Sequence, residues 1–224
     1  MSRALPRPAR AIGVAWRSLA LLFLLGTGSA RADEAAAWAA LRQGGVVALM
    51  RHGDAPGVGD PPGWRLDDCA TQRNLSERGR ADARAAGARL RDERIVIARV
   101  LSSPWCRCID TATLVGAGAV QVEPSFANAF MLRERRETLR EGGRAVIGRW
   151  RGPGVLLVVT HGENIHALTG VSPAAAEIVV VSAGADGTLR TIGSVPAPPQ
   201  RRGPGRWRRR GARPPRRQPG CGPS

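Results

Sequence analysis

Two runs of five consecutive apolar residues, Val46–Met50 and Val155–Val159, stand out along the middle of the chain. Neither alternates with polar residues, which is the pattern of strands buried on both faces of a parallel sheet. Each follows a glycine-rich break, Gly44-Gly45 in one case and Gly152-Pro153-Gly154 in the other. Each also stops at a histidine: Arg51-His52-Gly53 closes the first and Thr160-His161-Gly162 the second. Val100-Leu101, ending at Ser102-Ser103, and Val120–Val122 predict two shorter strands. Helical patterns lie between them. Ser76 can cap a helix running to about Arg91, with Ala81, Ala85, Ala88 and Leu90 as its inner stripe. Pro104 suits the first turn of a second helix, through about Val115. A third covers roughly 133–150, and a short one spans Asn164–Leu168 and stops at Gly170. Ile178–Val181 and Leu189–Ile192, joined around Asp186-Gly187, predict a terminal hairpin. This order predicts an α/β fold: a mainly parallel sheet flanked by helices on both faces, with a C-terminal hairpin.

Charge changes the picture at the two ends. The 224 residues carry a net charge of +16, yet five arginines fall within the first 31 residues and nine after Gln200, leaving +2 for residues 32–200. The body is near neutral, so the composition does not describe a nucleic-acid-binding domain, and no specific nucleic acid is expected as a partner. Residues 1–32 have the form of a secretory signal: Arg3, Arg7 and Arg10, then the apolar Leu19–Leu25, then Ala30-Arg31-Ala32 as a cleavage site. An exported, periplasmic location is the expectation, with no membrane span once the signal is removed. From 197 to 224 Arg, Pro and Gly dominate, a composition that predicts a disordered tail. Residues 33–196 are left as one domain.

In sheets of this kind ligands bind at the carboxyl ends of the strands. Arg51 and His52 sit at one such end, His161 at another, and Arg107 just past a third. Guanidinium forks match phosphate oxygens. A neutral imidazole can attack phosphorus, and a second can stabilise the charge that spreads over its oxygens. No dense acidic cluster or zinc-type Cys/His spacing is present, so no cofactor or metal is expected. The consistent chemistry is phosphoryl transfer without a metal.

The same residues resemble the histidine phosphatase (phosphoglycerate-mutase-like) superfamily. The resemblance is carried by Leu49-Met50-Arg51-His52-Gly53, Asn74-Leu75-Ser76-Glu77-Arg78-Gly79, Leu101–Arg107 with Thr111-Ala112, and Val158–Gly162, spanning roughly 45–192. It implies that His52 is the phosphorylated nucleophile and that Arg51, Arg107 and His161 clamp the phosphoryl group. Small exported bacterial members, including the lipopolysaccharide-heptose phosphatase type, look most similar. The reaction implied is hydrolysis of a small-molecule or glycolipid phosphomonoester; a mutase and a non-catalytic anion-binding envelope protein are the alternatives. Three carboxylates compete as general acid: Glu163, favoured by nearness to His161, then Glu134 and Asp54. Cys69 is placed to pair with Cys106 or Cys108 in an oxidising compartment. His166 reads as packing or surface, Asn164 as a substrate contact or a cap, and Trp64 and Trp105 as rim residues or core cover. Oligomeric state is not legible.

Overall fold

The computed structural model describes residues 33–184 and 187–197. The expected signal segment 1–32, the Arg-rich tail beyond Ala197 and Asp186 of the predicted hairpin turn lie outside the described residues. Six strands form one sheet: β1 (Val47–Arg51), β2 (Ile97–Ser102), β3 (Val120–Val122), β4 (Val155–Thr160), β5 (Ile178–Ala183) and β6 (Leu189–Val195), in the order β3-β2-β4-β1-β5-β6. β1, β4, β2 and β3 pair in parallel, while β5 runs antiparallel to β1 and β6 antiparallel to β5. The helices are α1 (33–43), α2 (Glu77–Asp92), α3 (Cys106–Val115), α4 (Arg136–Gly148) and α5 (Gly162–Thr169).

Alternate strand residues feed two cores. Ala48, Met50, Leu157, Val159 and Val180 meet Trp38 and Leu41 of α1, Ala86 and Leu90 of α2, and Ala112 and Val115 of α3. Val47, Leu49, Leu156, Val158 and Val179 meet Phe126, Ile147 of α4 and Ile165 of α5. Helices on both faces are why β1 and β4 read as unbroken apolar runs. Main-chain bonds then lock their ends together. His52 N donates to Thr160 O at 3.0 Å and Ser103 N to Val159 O at 2.9 Å, so the residues after β1, β4 and β2 leave the sheet at one edge.

Three local expectations differ from the structure. The helix α1 falls on an alanine-rich stretch that the hydrophobic pattern did not mark. In α2 the expected stripe is turned: Ala81 is exposed and Ala85 and Ala88 are half-buried, while Asp82, Ala83, Ala86, Gly87 and Leu90 face inward. An alanine-rich helix has no strongly favoured apolar face, so close approach decides. A Cβ on Gly87 would stand 2.0 Å from the Val115 carbonyl oxygen, which shows how tightly α2 crosses α3. Finally, β2 begins three residues before Val100, because Ile97–Arg99 extend the ladder with one half-buried and two exposed residues.

Candidate active site

A cavity of about 710 Å³ opens where β1 and β4 end. Arg51, His52, Arg107 and His161, the four residues expected there, all border it, together with Arg73, Asp54 and Glu163. Two sequence motifs build the floor. A Cβ on Gly53 would lie 2.5 Å from the Gly79 carbonyl oxygen, and one on Gly79 would lie 2.1 Å from the Asp54 carbonyl oxygen. The first turn of α2 therefore presses backbone to backbone on the residues after His52. Ser76 caps that turn, accepting from Gly79 N at 3.0 Å, and its hydroxyl donates to Asp54 Oδ2 at 2.6 Å. Thr111 ties the same strand end to α3: its hydroxyl accepts from Gly53 N at 3.0 Å and donates to Arg107 O at 2.6 Å.

His52 is 4% exposed, and its Nδ1 lies 2.8 Å from the Gly53 carbonyl oxygen. A carbonyl only accepts, so Nδ1 carries the proton and Nε2 keeps its lone pair. Burial pushes the His52 pKa down from 6.5 to about 3, against the upward pull of the Gly53 bond and with the help of Arg107, Arg51 and Arg73. His52 is thus a neutral imidazole at physiological pH. The centroid of the His161 ring lies 5.4 Å from that of His52. Burial, then the charges around it, hold His161 well below its ordinary value too. Its Nε2 stands 2.9 Å from Ser103 Oγ and 3.5 Å from the buried free thiol of Cys108, which burial pushes up to about 12.

Three guanidinium groups complete the cavity. Arg51 donates from Nη1 to Pro173 O at 2.9 Å, Arg73 donates from Nη1 to the carbonyls of Ala55 and Gly57, and Arg107 donates from Nη1 to Asp60 Oδ1 at 2.6 Å. In all three the Nε atom is buried and has no hydrogen-bond partner among the described residues. A buried N–H without a partner is costly, and each of three arginines bordering one cavity keeps such an N–H.

The other expected residues fall as follows. Glu163 borders the cavity and pairs with Arg136 at 3.1 Å. Glu134 is not brought there. It is exposed on the single 3₁₀ turn Arg133–Arg135, which lifts it into solvent among arginines. Asn164 is buried and holds the 127–129 segment, accepting from Ala129 N and donating to Ala127 O, so it neither caps a helix nor borders the cavity. His166 is exposed at the cavity rim beside Ser172. Trp105 is buried and stacks on Trp64, 5.1 Å between centroids; both cover core rather than the cavity. Cys69 is bonded to Cys106. Sequence reasoning missed Arg73, Asp60 and Ser103. Arg73 stands directly before Asn74-Leu75-Ser76, a position that could have signalled it.

Two neutral imidazoles and three arginines at the carboxyl ends of a mainly parallel sheet make this an α/β protein with an oxyanion pocket built around a histidine. The model of the histidine phosphatase superfamily (branch 1) matches residues 47–139, from β1 into α4. The matched segment holds Arg51, His52, Arg73 and Arg107 and ends before His161. A mycobacterial structure described as hydrolase 2 is 16% identical, covers 70% of this chain and 93% of its own, and superposes with a TM-score of 0.51. The protein histidine phosphatase SixA complexed with tungstate is 22% identical, covering 67% of this chain and 96% of its own, TM-score 0.45. A mycobacterial glucosyl-3-phosphoglycerate phosphatase is 18% identical, covering 65% and 96%, TM-score 0.49. At 16% identity the likeness to hydrolase 2 is one of fold. No curated protein matches the chain.

Proposed function

We propose that the protein hydrolyses phosphomonoesters through a phosphohistidine on His52, without a metal, outside the cytoplasm. One observation carries the reading: a neutral His52 with its proton fixed on Nδ1 shares a cavity with three arginines whose Nε–H groups have no partner. The Nε2 lone pair attacks phosphorus while the bond to the leaving oxygen breaks. The arginines bind the equatorial oxygens, whose charge they balance throughout. His161, its Nε2 held 2.9 Å from the Ser103 hydroxyl, stands beside His52 at the same group.

The leaving oxygen needs a proton. Asp54 and Glu163 are the two candidates that border the cavity. Geometry supports Asp54: it stands two residues after His52 with its carboxyl fixed by the Ser76 hydroxyl, which donates to Oδ2, whereas Glu163 is drawn into an ion pair with Arg136. In the second half-reaction the same carboxylate takes a proton from water as the water oxygen attacks phosphorus, and the P–N bond breaks to restore His52. Export is supported by the N-terminal pattern and by the Cys69–Cys106 bond, which suits an oxidising compartment. A small-molecule or glycolipid phosphomonoester is the substrate class proposed.

The test is phosphate release from an aryl phosphate by the full chain, with EDTA present, and trapping of an acid-labile, base-stable phosphoenzyme. Turnover and label should both vanish in His52→Ala. Asp54→Asn should lose most of the turnover that Glu163→Gln keeps. Undiminished turnover in His52→Ala overturns the mechanism. A folded wild type that binds phosphate without turnover overturns the hydrolase reading in favour of an anion-binding protein.

A further inference from the structure

Asp60 takes no part in the transfer just described, yet its side chain and that of Arg107 are both 0% exposed. Both carboxylate oxygens are fully engaged. Oδ1 accepts from Arg107 Nη1 at 2.6 Å and from the Arg73 main-chain N at 3.0 Å. Oδ2 accepts from Trp105 Nε1 at 2.9 Å and from Arg107 Nη2 at 3.2 Å. Burial by itself would raise the Asp60 pKa; the bonds from Arg107, Arg73 and Trp105 outweigh it and hold the group below the ordinary carboxylate range. Asp60 is therefore an anion, lodged beside the cavity that is to receive another.

A guanidinium has two edges able to grip an oxyanion with two parallel bonds: the terminal Nη1/Nη2 edge and the Nε/Nη2 edge. Asp60 fills the terminal edge of Arg107. What remains is the Nε edge, and Arg107 Nε is one of the three buried atoms without a partner. The same carboxylate anchors the main chain of Arg73, whose carbonyl oxygen receives a further bond from Arg107 Nη1 at 3.1 Å. One loop residue thus orients one cavity arginine and seats the backbone of a second.

We propose that Asp60 is a positioning residue: by occupying the terminal edge of Arg107 it obliges that arginine to meet the phosphoryl group through its Nε edge. The proposal rests on the phosphate-pocket reading of the cavity. A buried ion pair that only held the fold together would act on stability wherever Arg107 pointed. A positioning pair acts on phosphate, and only through Arg107.

The experiment compares wild type, Asp60→Asn, Arg107→Ala and the double variant, using inorganic phosphate binding by calorimetry and aryl phosphate turnover. Asp60→Asn keeps the side-chain volume; the expected result is a fall in kcat/KM of about 100-fold, the cost of a misplaced reacting group. Phosphate binding should weaken at least about 10-fold in parallel, because the ground-state anion uses the same edge. In the Arg107→Ala background, adding Asp60→Asn should change either readout by less than about 3-fold. Wild-type kinetics in Asp60→Asn, or an equal loss in both backgrounds, overturns the proposal. If Asp60→Asn alone does not fold, the comparison of Arg107→Ala with the double variant, which removes both charges, decides it. A wild type that binds phosphate without turnover sinks the hydrolase reading alone, and the four phosphate titrations still judge Asp60. A wild type that binds no phosphate overturns both.

Discussion

Consider the ligand-free protein taken from about pH 7.5 to about pH 5, a range in which an unfolded chain protonates its histidines and the folded His52 does not. Burial first, and the arginine charges after it, hold His52 at about 3 against its ordinary 6.5. At about pH 5 the unfolded state has therefore bound a proton that the native state refuses, and 1.36 kcal/mol per pKa unit makes this worth about 2 kcal/mol. That figure is set by the ordinary value and the pH alone, provided the folded value stays below about 5. The stability is fully present above the unfolded value of 6.5 and drains away as the pH falls toward the folded value of about 3. His161, lowered chiefly by its own burial, acts in the same direction. The assay is urea unfolding at the two pH values for wild type and His52→Gln. Wild type should lose about 2 kcal/mol more on acidification than the variant does. Equal losses in the two proteins would mean that His52 charges freely in the fold, and the neutral-nucleophile argument would fail with it.

Two further expectations concern the scaffold of the cavity. The Cys69–Cys106 bond joins residues 37 apart in sequence; closing such a loop should be worth about 4 kcal/mol, so Cys69→Ser or reduction should lower the urea midpoint strongly, and an unchanged midpoint would show that the bond does not form. Gly79→Ala should destabilise by roughly 2–3 kcal/mol despite the better helix propensity of alanine, because the new Cβ meets backbone that cannot yield. A thermal midpoint equal to or above that of wild type would refute the close approach of α2 to Asp54.

How much of this was legible in the chain depends on where each cause lies. His52 and His161 were visible because a parallel strand covered on both faces must be apolar throughout, so the polar pairs that follow, Arg51-His52 and Thr160-His161, announce the strand end and the rim of the sheet. Gly53 and Gly79 were visible as motif letters; their reason, a backbone contact between two segments, appears only in the fold. The buried face of α2 was misread because alanines on every side leave the choice of face to α3, which is remote in sequence. Glu134 was a plausible acid by its distance along the chain from Arg107, a measure that says nothing about a 3₁₀ turn lifting it into solvent. Asp60 was missed for the opposite reason: in a Gly/Pro-rich loop a lone carboxylate looks solvated, and its partner Arg107 lies 47 residues away. Yet a strand-end arginine buried beside an imidazole needs a counter-charge, since an unpaired buried cation is too costly to keep. Between Asp54 and Asp67 the chain offers one acidic residue, Asp60. The nucleophile of this site is thus written in a local pattern. The orientation of the group that must hold its substrate is written in a pair, legible once the cost of burying an arginine is applied to the loop that covers it.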